Sequence, residues 1–215
     1  SKSVGNVIDP REIVETYGLD QVRYFLMREV PFGNDGDFSR KSVVSRINSE
    51  LANDLGNLAQ RTLSMVGRYC EGVLPEPGAY TDADTAMLKQ ATAVMDAYRT
   101  HLDNQAFHEA LETIWQVVRA ANAYVDQQAP WALHKKDPAR RDTVLYVLAE
   151  TIRHLALYIQ PYMPDSAAVM LDQLVVPADA RDFTHVGEGS ALTPGTTLPK
   201  PAPVFPRFVE EESAN

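Results

Sequence analysis

Apolar residues recur every three or four positions through most of this 215-residue sequence, which is the spacing of one face of an α-helix. The pattern predicts two short helices before residue 30 and a long helix over about residues 39–69. Further helices are predicted over 83–102, 104–128 and 139–159, with a shorter one ending near residue 174. Long helices with short connectors pack as near-antiparallel neighbours, so we predict an all-α bundle.

Helix periodicity is lost after about residue 175. The stretch "LTPGTTLPKPAPVFPRFVEEE" is rich in proline and favours an extended chain. It still carries apolar residues, including Leu198, Val204, Phe205 and Phe208. We therefore expect residues 176–215 to form an extended tail that docks back on a bundle over residues 39–175.

The net charge of −9 is unevenly spread along the chain. Residues 1–70 hold nine Lys and Arg and nine Asp and Glu, whereas residues 71–215 hold eleven and twenty. A broad basic surface of the general nucleic-acid-binding kind is therefore excluded. Any contact with nucleic acid must therefore depend mainly on the first third of the chain, residues 1–70, and on a few residues after it.

The single cysteine, Cys70, excludes an internal disulfide and a cysteine-built zinc site. The sequence has no run of about 18 apolar residues that would predict a membrane span, and a cytoplasmic protein is the expectation. Asp35 and Asp37 lie in a glycine-rich segment that is typical of a turn, and the five histidines are scattered, so no metal site is predicted.

Polar residues on the long helix form a candidate site. Asn57 and Arg61 are four positions apart and so project from one helix face, with Asn53 one turn earlier. Trp131 follows Pro130 where a helix is expected to end at a turn. Spacing alone favours a solvated stripe and a buried anchor, but Asn, Arg and Trp are also suited to reading and stacking unpaired bases.

The first residues, Ser1, Lys2 and Ser3, offer one ammonium and two hydroxyls ahead of a Gly-Asn turn. Such a group suits phosphate handling, although by itself it is typical of a solvated loop end. The context is more specific. "SKSVGNVIDP" followed by "YGLDQVRYFLMREVPFGNDGDFS" resembles the signature loop of class I aminoacyl-tRNA synthetases, whose motif is Lys-Met-Ser-Lys-Ser.

Three further segments resemble the methionyl-tRNA synthetase family: "RYFLMREVPFGNDGDFS", "NLAQR" and "VDQQAPWALHKKD". The resemblance implies that the chain begins inside the motif as the C-terminal part of a longer enzyme, whose catalytic domain precedes it. Residues 1–38 would then be a remnant of the signature loop with connecting helices, and residues 39–175 an anticodon-binding bundle.

The resemblance also implies a reaction for the whole enzyme. ATP, with Mg, and methionine form methionyl-adenylate, and the methionyl group passes to methionine tRNA. Lys2 would be the catalytic cation of an ATP loop made of Ser1, Lys2 and Ser3. The piece alone is expected to be inactive, monomeric and without a bound cofactor.

The same resemblance assigns recognition of the CAU anticodon to a set of residues on the bundle: Asn57, Arg61, Trp131, Asn53 and Pro130. Lys135 and Lys136 are weaker candidates for nearby phosphates. Two other interpretations stay open at this point. The chain could be the same region of a leucine, valine, isoleucine or cysteine enzyme, or a helical protein-interaction module without RNA binding.

Overall fold

The computed structural model describes residues 9–30 and 39–209. These residues form helices and no strand, apart from one isolated bridge between Val73 and Thr197, so the predicted all-α class is confirmed. No described helix is long and apolar enough to cross a membrane. The helices are α1 Pro10–Tyr17, α2 Leu19–Glu29, α3 Arg40–Arg46, α4 Asn57–Tyr69, α5 Asp82–Ala93, α6 Met95–Asp103, α7 Phe107–Gln128, α8 Pro130–Lys136, α9 Pro138–Ile159 and α10 Pro164–Gln173.

The predicted long helix is present as a continuous run from α3 to α4, but its middle part is π-helical and not α-helical. Ile47–Gly56 form a π-helical segment that joins the two α-helical parts. Ser39 caps the start through its hydroxyl, which accepts from the Ser42 backbone N–H. The apolar face is buried through both winding types, at Val43, Ile47, Leu51, Leu55 and Leu58.

The helix expected over 83–102 is instead two helices, α5 and α6, with a break at Val94. One turn before the break, the Ala91 carbonyl accepts a hydrogen bond from the Tyr158 hydroxyl at 2.9 Å. In return, the Tyr98 hydroxyl donates to the Tyr158 carbonyl at 2.7 Å. These bonds to α9 give the backbone near the break a partner outside its own helix.

Helix α9 is the centre of the bundle, and it contacts α4, α5, α7, α8 and α10. Nearly every residue of its last five turns is buried, so it has no solvent-facing stripe. Trp115 on α7 is fully buried against Tyr24. The exposed tryptophan of this chain is Trp131, on the short helix α8.

The described part of the tail, residues 176–209, lies along the bundle. Leu74 N–H donates to the Thr196 carbonyl at 2.9 Å, and Leu198 N–H donates to the Gly72 carbonyl at 2.8 Å. Further along, Phe205 is buried against the π-helical segment. The last described residues of the tail therefore lie beside the helix that carries Asn53 and Asn57.

Candidate nucleic-acid interface

Arg61 and Trp131 lie side by side although 70 positions separate them in the chain. The guanidinium carbon of Arg61 is 5.4 Å from the centroid of the Trp131 ring, which is within cation–π range. Trp131 is 44% exposed. The ring is therefore an open platform beside a cation, and not the buried anchor that its spacing alone would allow.

The position of Trp131 follows from the corner between α7 and α8. Ala129 has a φ of 44°, in the left-handed region, and ends α7. Pro130 is the first residue of α8 and is buried, a position where its missing N–H costs nothing. Trp131 consequently lies in the first turn of a helix, whereas the sequence suggested a turn without helix.

A buried ion pair between Asp84 and Arg140 stabilises the corner between α7 and α8. The carboxylate of Asp84 on α5 is fully buried and accepts from both terminal nitrogens of Arg140, at 2.5 and 2.8 Å. Arg140 also donates to the Gln128 side chain at the end of α7, at 2.7 Å. Burial raises the pKa of Asp84, but hydrogen bonds from Arg140, Tyr124 and Thr81 outweigh this and lower the pKa to about 2.

Arg61 has a second partner on α7. Its guanidinium donates to the Asp126 carboxylate at 3.1 Å, and both side chains are partly exposed. Exposed ion pairs contribute little stability, about 0–1 kcal/mol. The pair with Asp126 therefore serves mainly to orient the guanidinium, and no other hydrogen bond from it to a described residue is present.

Asn53 and Asn57 are both exposed and line one groove of about 600 Å³. Gln60 lines the same groove from α4, and the tail forms its other wall over residues 203–207. Gln60 Oε1 is buried and has no hydrogen-bond partner among the described residues. Sequence reasoning missed Gln60, although it lies inside the quoted "NLAQR" segment.

Arg207 is the other residue that sequence reasoning missed at this groove. No spacing signal could have found it, because it lies about 150 positions after Asn57 and reaches the groove only through the docked tail.

The proposed ATP-loop residues Ser1, Lys2 and Ser3 lie outside the described residues, as does the loop with Asp35 and Asp37. Within the described residues, no group of three or more His, Cys, Asp or Glu side chains is arranged to hold a metal ion.

Comparisons with known proteins show which family the chain belongs to. Residues 1–63 match the family model "tRNA synthetases class I (M)". The protein is therefore of the class I tRNA synthetase type. Residues 74–215 match the family model "Anticodon binding domain of methionyl tRNA ligase". The chain belongs to this methionyl-tRNA ligase family, so the interpretations as another class I type and as an unrelated interaction module are set aside.

Named relatives are similar over the whole chain. The methionine–tRNA ligase of Brucella suis is 58% identical over 215 residues, which are 100% of this chain and 42% of that protein. The corresponding Mycobacterium tuberculosis protein is 52% identical over 212 residues, which are 97% of this chain and 40% of that protein. The chain thus spans about two fifths of the length of the curated relatives it matches.

Solved structures show the same fold. The Mycobacterium tuberculosis methionyl-tRNA synthetase in complex with methionyl-adenylate matches with a TM-score of 0.93 and 52% identity, over 96% of this chain and 41% of that one. The apo form of the same enzyme matches with a TM-score of 0.91 and 49% identity, over 95% of this chain and 42% of that one.

Proposed function

We propose that this chain recognises the CAU anticodon of methionine tRNA through Asn57, Arg61 and Trp131. The observation that carries the proposal is the exposed Trp131 ring with the Arg61 guanidinium 5.4 Å from its centroid. An exposed ring can stack on an unpaired base, which contributes about 1–3 kcal/mol per base. The guanidinium can donate to a base edge in the same step.

The side-chain amides of Asn57 and Asn53 would supply the remaining contacts to the anticodon bases. Asn57 begins α4, one turn before Arg61, and is exposed. An amide offers a donor and an acceptor together, which matches the edge of a base. Asn53 extends this polar line along the groove, and Pro130 fixes the corner that presents Trp131.

For the whole protein, we infer the activity that its relatives are named for, ligation of methionine to tRNA. ATP, with Mg, and methionine would form methionyl-adenylate on a catalytic domain outside this chain. Lys2, with Ser1 and Ser3, would stabilise the negative charge that develops on the phosphates. The chain alone would bind tRNA as a monomer without aminoacylating it, and protein synthesis in the cytoplasm is the process served.

The test is the affinity of the chain for a CAU stem-loop and for the same stem-loop with a scrambled anticodon. We expect Trp131→Ala to weaken CAU binding at least tenfold by fluorescence titration, because the stacking platform is lost. Tyr80→Ala is the matched control, since Tyr80 is 45% exposed and lies elsewhere, in the connector just before α5.

Two results would contradict the proposal. One is a Trp131→Ala chain that binds the CAU stem-loop as tightly as the Tyr80→Ala chain does. The other is a wild-type chain that binds both stem-loops equally, which would favour a function independent of the anticodon.

A further inference from the structure

A second cleft, of about 410 Å³, adjoins Trp131 between the end of α4 and α8. Trp131 forms one wall, and the remaining lining includes Arg68, Tyr69, His134, Lys135 and Lys136. We call this the α4–α8 cleft. It shares Trp131 with the proposed anticodon site but includes neither Asn57 nor Arg61.

The cleft is built on a stack of rings and cations. The Tyr69 and His134 rings are stacked, with centroids 4.3 Å apart and planes inclined by 25°. The Arg68 guanidinium carbon is 5.6 Å from the Tyr69 centroid. These contacts hold the side chains from two helices in one arrangement before any ligand binds.

A neighbouring arginine fixes which nitrogen of the neutral His134 ring accepts a hydrogen bond. Arg141 lies 2.8 Å from His134 Nδ1, and since a guanidinium only donates, Nδ1 is the acceptor. Arg141 is itself held by Asp142, at 2.8 and 2.6 Å. The neutral ring therefore carries its proton on Nε2, which leaves His134 with an N–H donor directed away from Arg141.

The cations of the cleft are not neutralised within the described chain. Arg68, Lys135 and Lys136 are exposed, and none of them forms an ion pair with a described residue. Near Lys135 and Lys136 in sequence, Asp137 caps α9 at 3.0 Å and Asp142 binds Arg141. Glu71, three positions after Arg68, is exposed and forms no ion pair with a described residue. Because residues 71–215 carry the whole −9 charge, the grouping of Lys135 and Lys136 with Arg68 in one cleft indicates an anionic ligand.

Resting on the anticodon function proposed above, we propose that the α4–α8 cleft binds the phosphodiester of the loop nucleotide that flanks the CAU triplet. A base stacked on Trp131 brings the neighbouring backbone to the wall that the two sites share. Lys135, Lys136 and Arg68 supply charge, and His134 Nε2–H supplies a directed hydrogen bond. Contacts to phosphate position a nucleic acid without reading its sequence.

The test compares two triple variants of this chain that lose the same charge. The cleft triple is Arg68→Gln, Lys135→Gln and Lys136→Gln. The control triple is Lys41→Gln, Lys89→Gln and Arg99→Gln, three exposed residues on α3, α5 and α6. Both are titrated with CAU and scrambled stem-loops over a range of salt concentrations, and thermal unfolding verifies that each is folded.

We expect the cleft triple to weaken binding of both stem-loops by the same factor, about tenfold or more, relative to the control triple. The slope of log K against log salt should become shallower by about 0.7, the value for losing one single-strand phosphate contact. Binding of the CAU trinucleotide, which lacks the flanking phosphodiesters, should be equal for the two triples. If the cleft triple does not fold, the Lys135→Gln, Lys136→Gln double variant replaces it.

The outcomes separate the two proposals. The cleft proposal alone would be overturned if the wild-type chain prefers CAU and the cleft triple binds both stem-loops as tightly as the control triple does. Equal weakening of trinucleotide and stem-loop binding would overturn it as well, because the lost contact would then lie within the triplet. A wild-type chain without preference for CAU would overturn the anticodon function and this placement of the phosphate together.

Discussion

Arg61 is held from two sides, by the Trp131 ring and by the Asp126 carboxylate. Neither contact is buried, so both contribute little to stability. What they restrict is the plane and direction of the guanidinium. In the proposed anticodon site, the guanidinium is therefore ordered before binding, which would reduce the side-chain entropy lost on binding a base.

Replacing Arg61 by Lys tests whether the planar fork matters. We expect Arg61→Lys to weaken CAU stem-loop binding about tenfold, because an ammonium keeps the charge but loses the bidentate geometry. The free energy of unfolding should change by less than about 0.5 kcal/mol, as for an exposed site. Fluorescence titration and urea unfolding measure the two quantities.

Asp126→Asn is the companion variant, since it removes the ion pair and leaves Arg61 beside Trp131. Its effect on CAU affinity should be smaller than that of Arg61→Lys. Equal affinities for wild type and Arg61→Lys would show that only the charge of Arg61 matters.

Single residues with strong chemical character could be named from the sequence, and their neighbours could not. Asn57, Arg61 and Trp131 stand out by type, spacing and family resemblance. Asp126, Gln128 and Arg140 became relevant only through tertiary contacts that no local pattern encodes. Local periodicity reports burial, whereas side-chain partners depend on how separate helices are placed.

At the scale of elements, the corner between α7 and α8 depends on the buried Asp84 carboxylate. Removing one partner of a buried ion pair leaves an uncompensated charge. We expect Asp84→Asn to lower the free energy of unfolding by about 3 kcal/mol, as measured by urea unfolding. Because Arg140 then loses its fixed position beside Gln128, CAU affinity should fall as well.

The matched control is Asp82→Asn, an exposed carboxylate in the same first turn of α5. It should change the stability by less than about 0.5 kcal/mol. A similar loss in both variants would mean that the helix terminus, and not the pair with Arg140, accounts for the effect.

The contact between the π-helical segment and the tail depends on a residue without a side chain. A Cβ at Gly56 would lie 2.7 Å from the Leu51 carbonyl oxygen and 3.3 Å from Phe205 Cβ. We expect Gly56→Ala to lower the free energy of unfolding by about 1–3 kcal/mol, because either the helix or the tail must shift. Urea unfolding of the chain measures this directly.

Gly67→Ala is the control, on α4, which continues directly from the π-helical segment, and nothing lies within 4 Å of the added Cβ. Alanine is the better helix former, so this variant should be stabilised by about 0.5–1 kcal/mol. Stabilisation of both variants would mean that the tail is not packed tightly against Gly56.

The helices themselves were largely predictable, but their interruptions were not. Periodicity identified the long helical regions because apolar residues recur at helical spacing in each of them. The break at Val94 lies beside hydrogen bonds from the Tyr98 and Tyr158 hydroxyls to carbonyls on α9 and α5, contacts between separate elements that no local pattern encodes. The widened turns of Ile47–Gly56 keep the apolar face buried, so hydrophobic spacing alone did not distinguish them.

At the scale of the whole molecule, a buried polar cluster on α9 holds the tail to the bundle. Arg153 donates to the carbonyls of His185 and Gly187, at 2.7 and 3.0 Å. Glu150 accepts from the Leu192 N–H at 3.0 Å, and His154 Nε2 accepts from the Gly187 N–H at 3.1 Å. The stability of the tail is thereby tied to groups that titrate.

His154 must be neutral to accept the Gly187 N–H. Burial and the adjacent Arg153 lower the pKa of His154 to about 4, and Glu150 opposes them only in part. The cavity beside His154 is also lined by Lys89 and Glu188. In the unfolded chain the pKa of histidine is about 6.5, so the unfolded chain binds more protons than the folded chain between these two values.

Stability from His154 is therefore fully present above about pH 6.5 and is lost as the pH falls towards 4. We expect the wild-type chain to lose about 2 kcal/mol more than a His154→Gln chain over this range, because the variant has no group there to protonate. Urea unfolding at several pH values measures the difference, with His101→Gln, a partly exposed histidine on α6, as the control. Parallel pH profiles for wild type and His154→Gln would mean that the tail is held by its backbone pairing and apolar contacts alone.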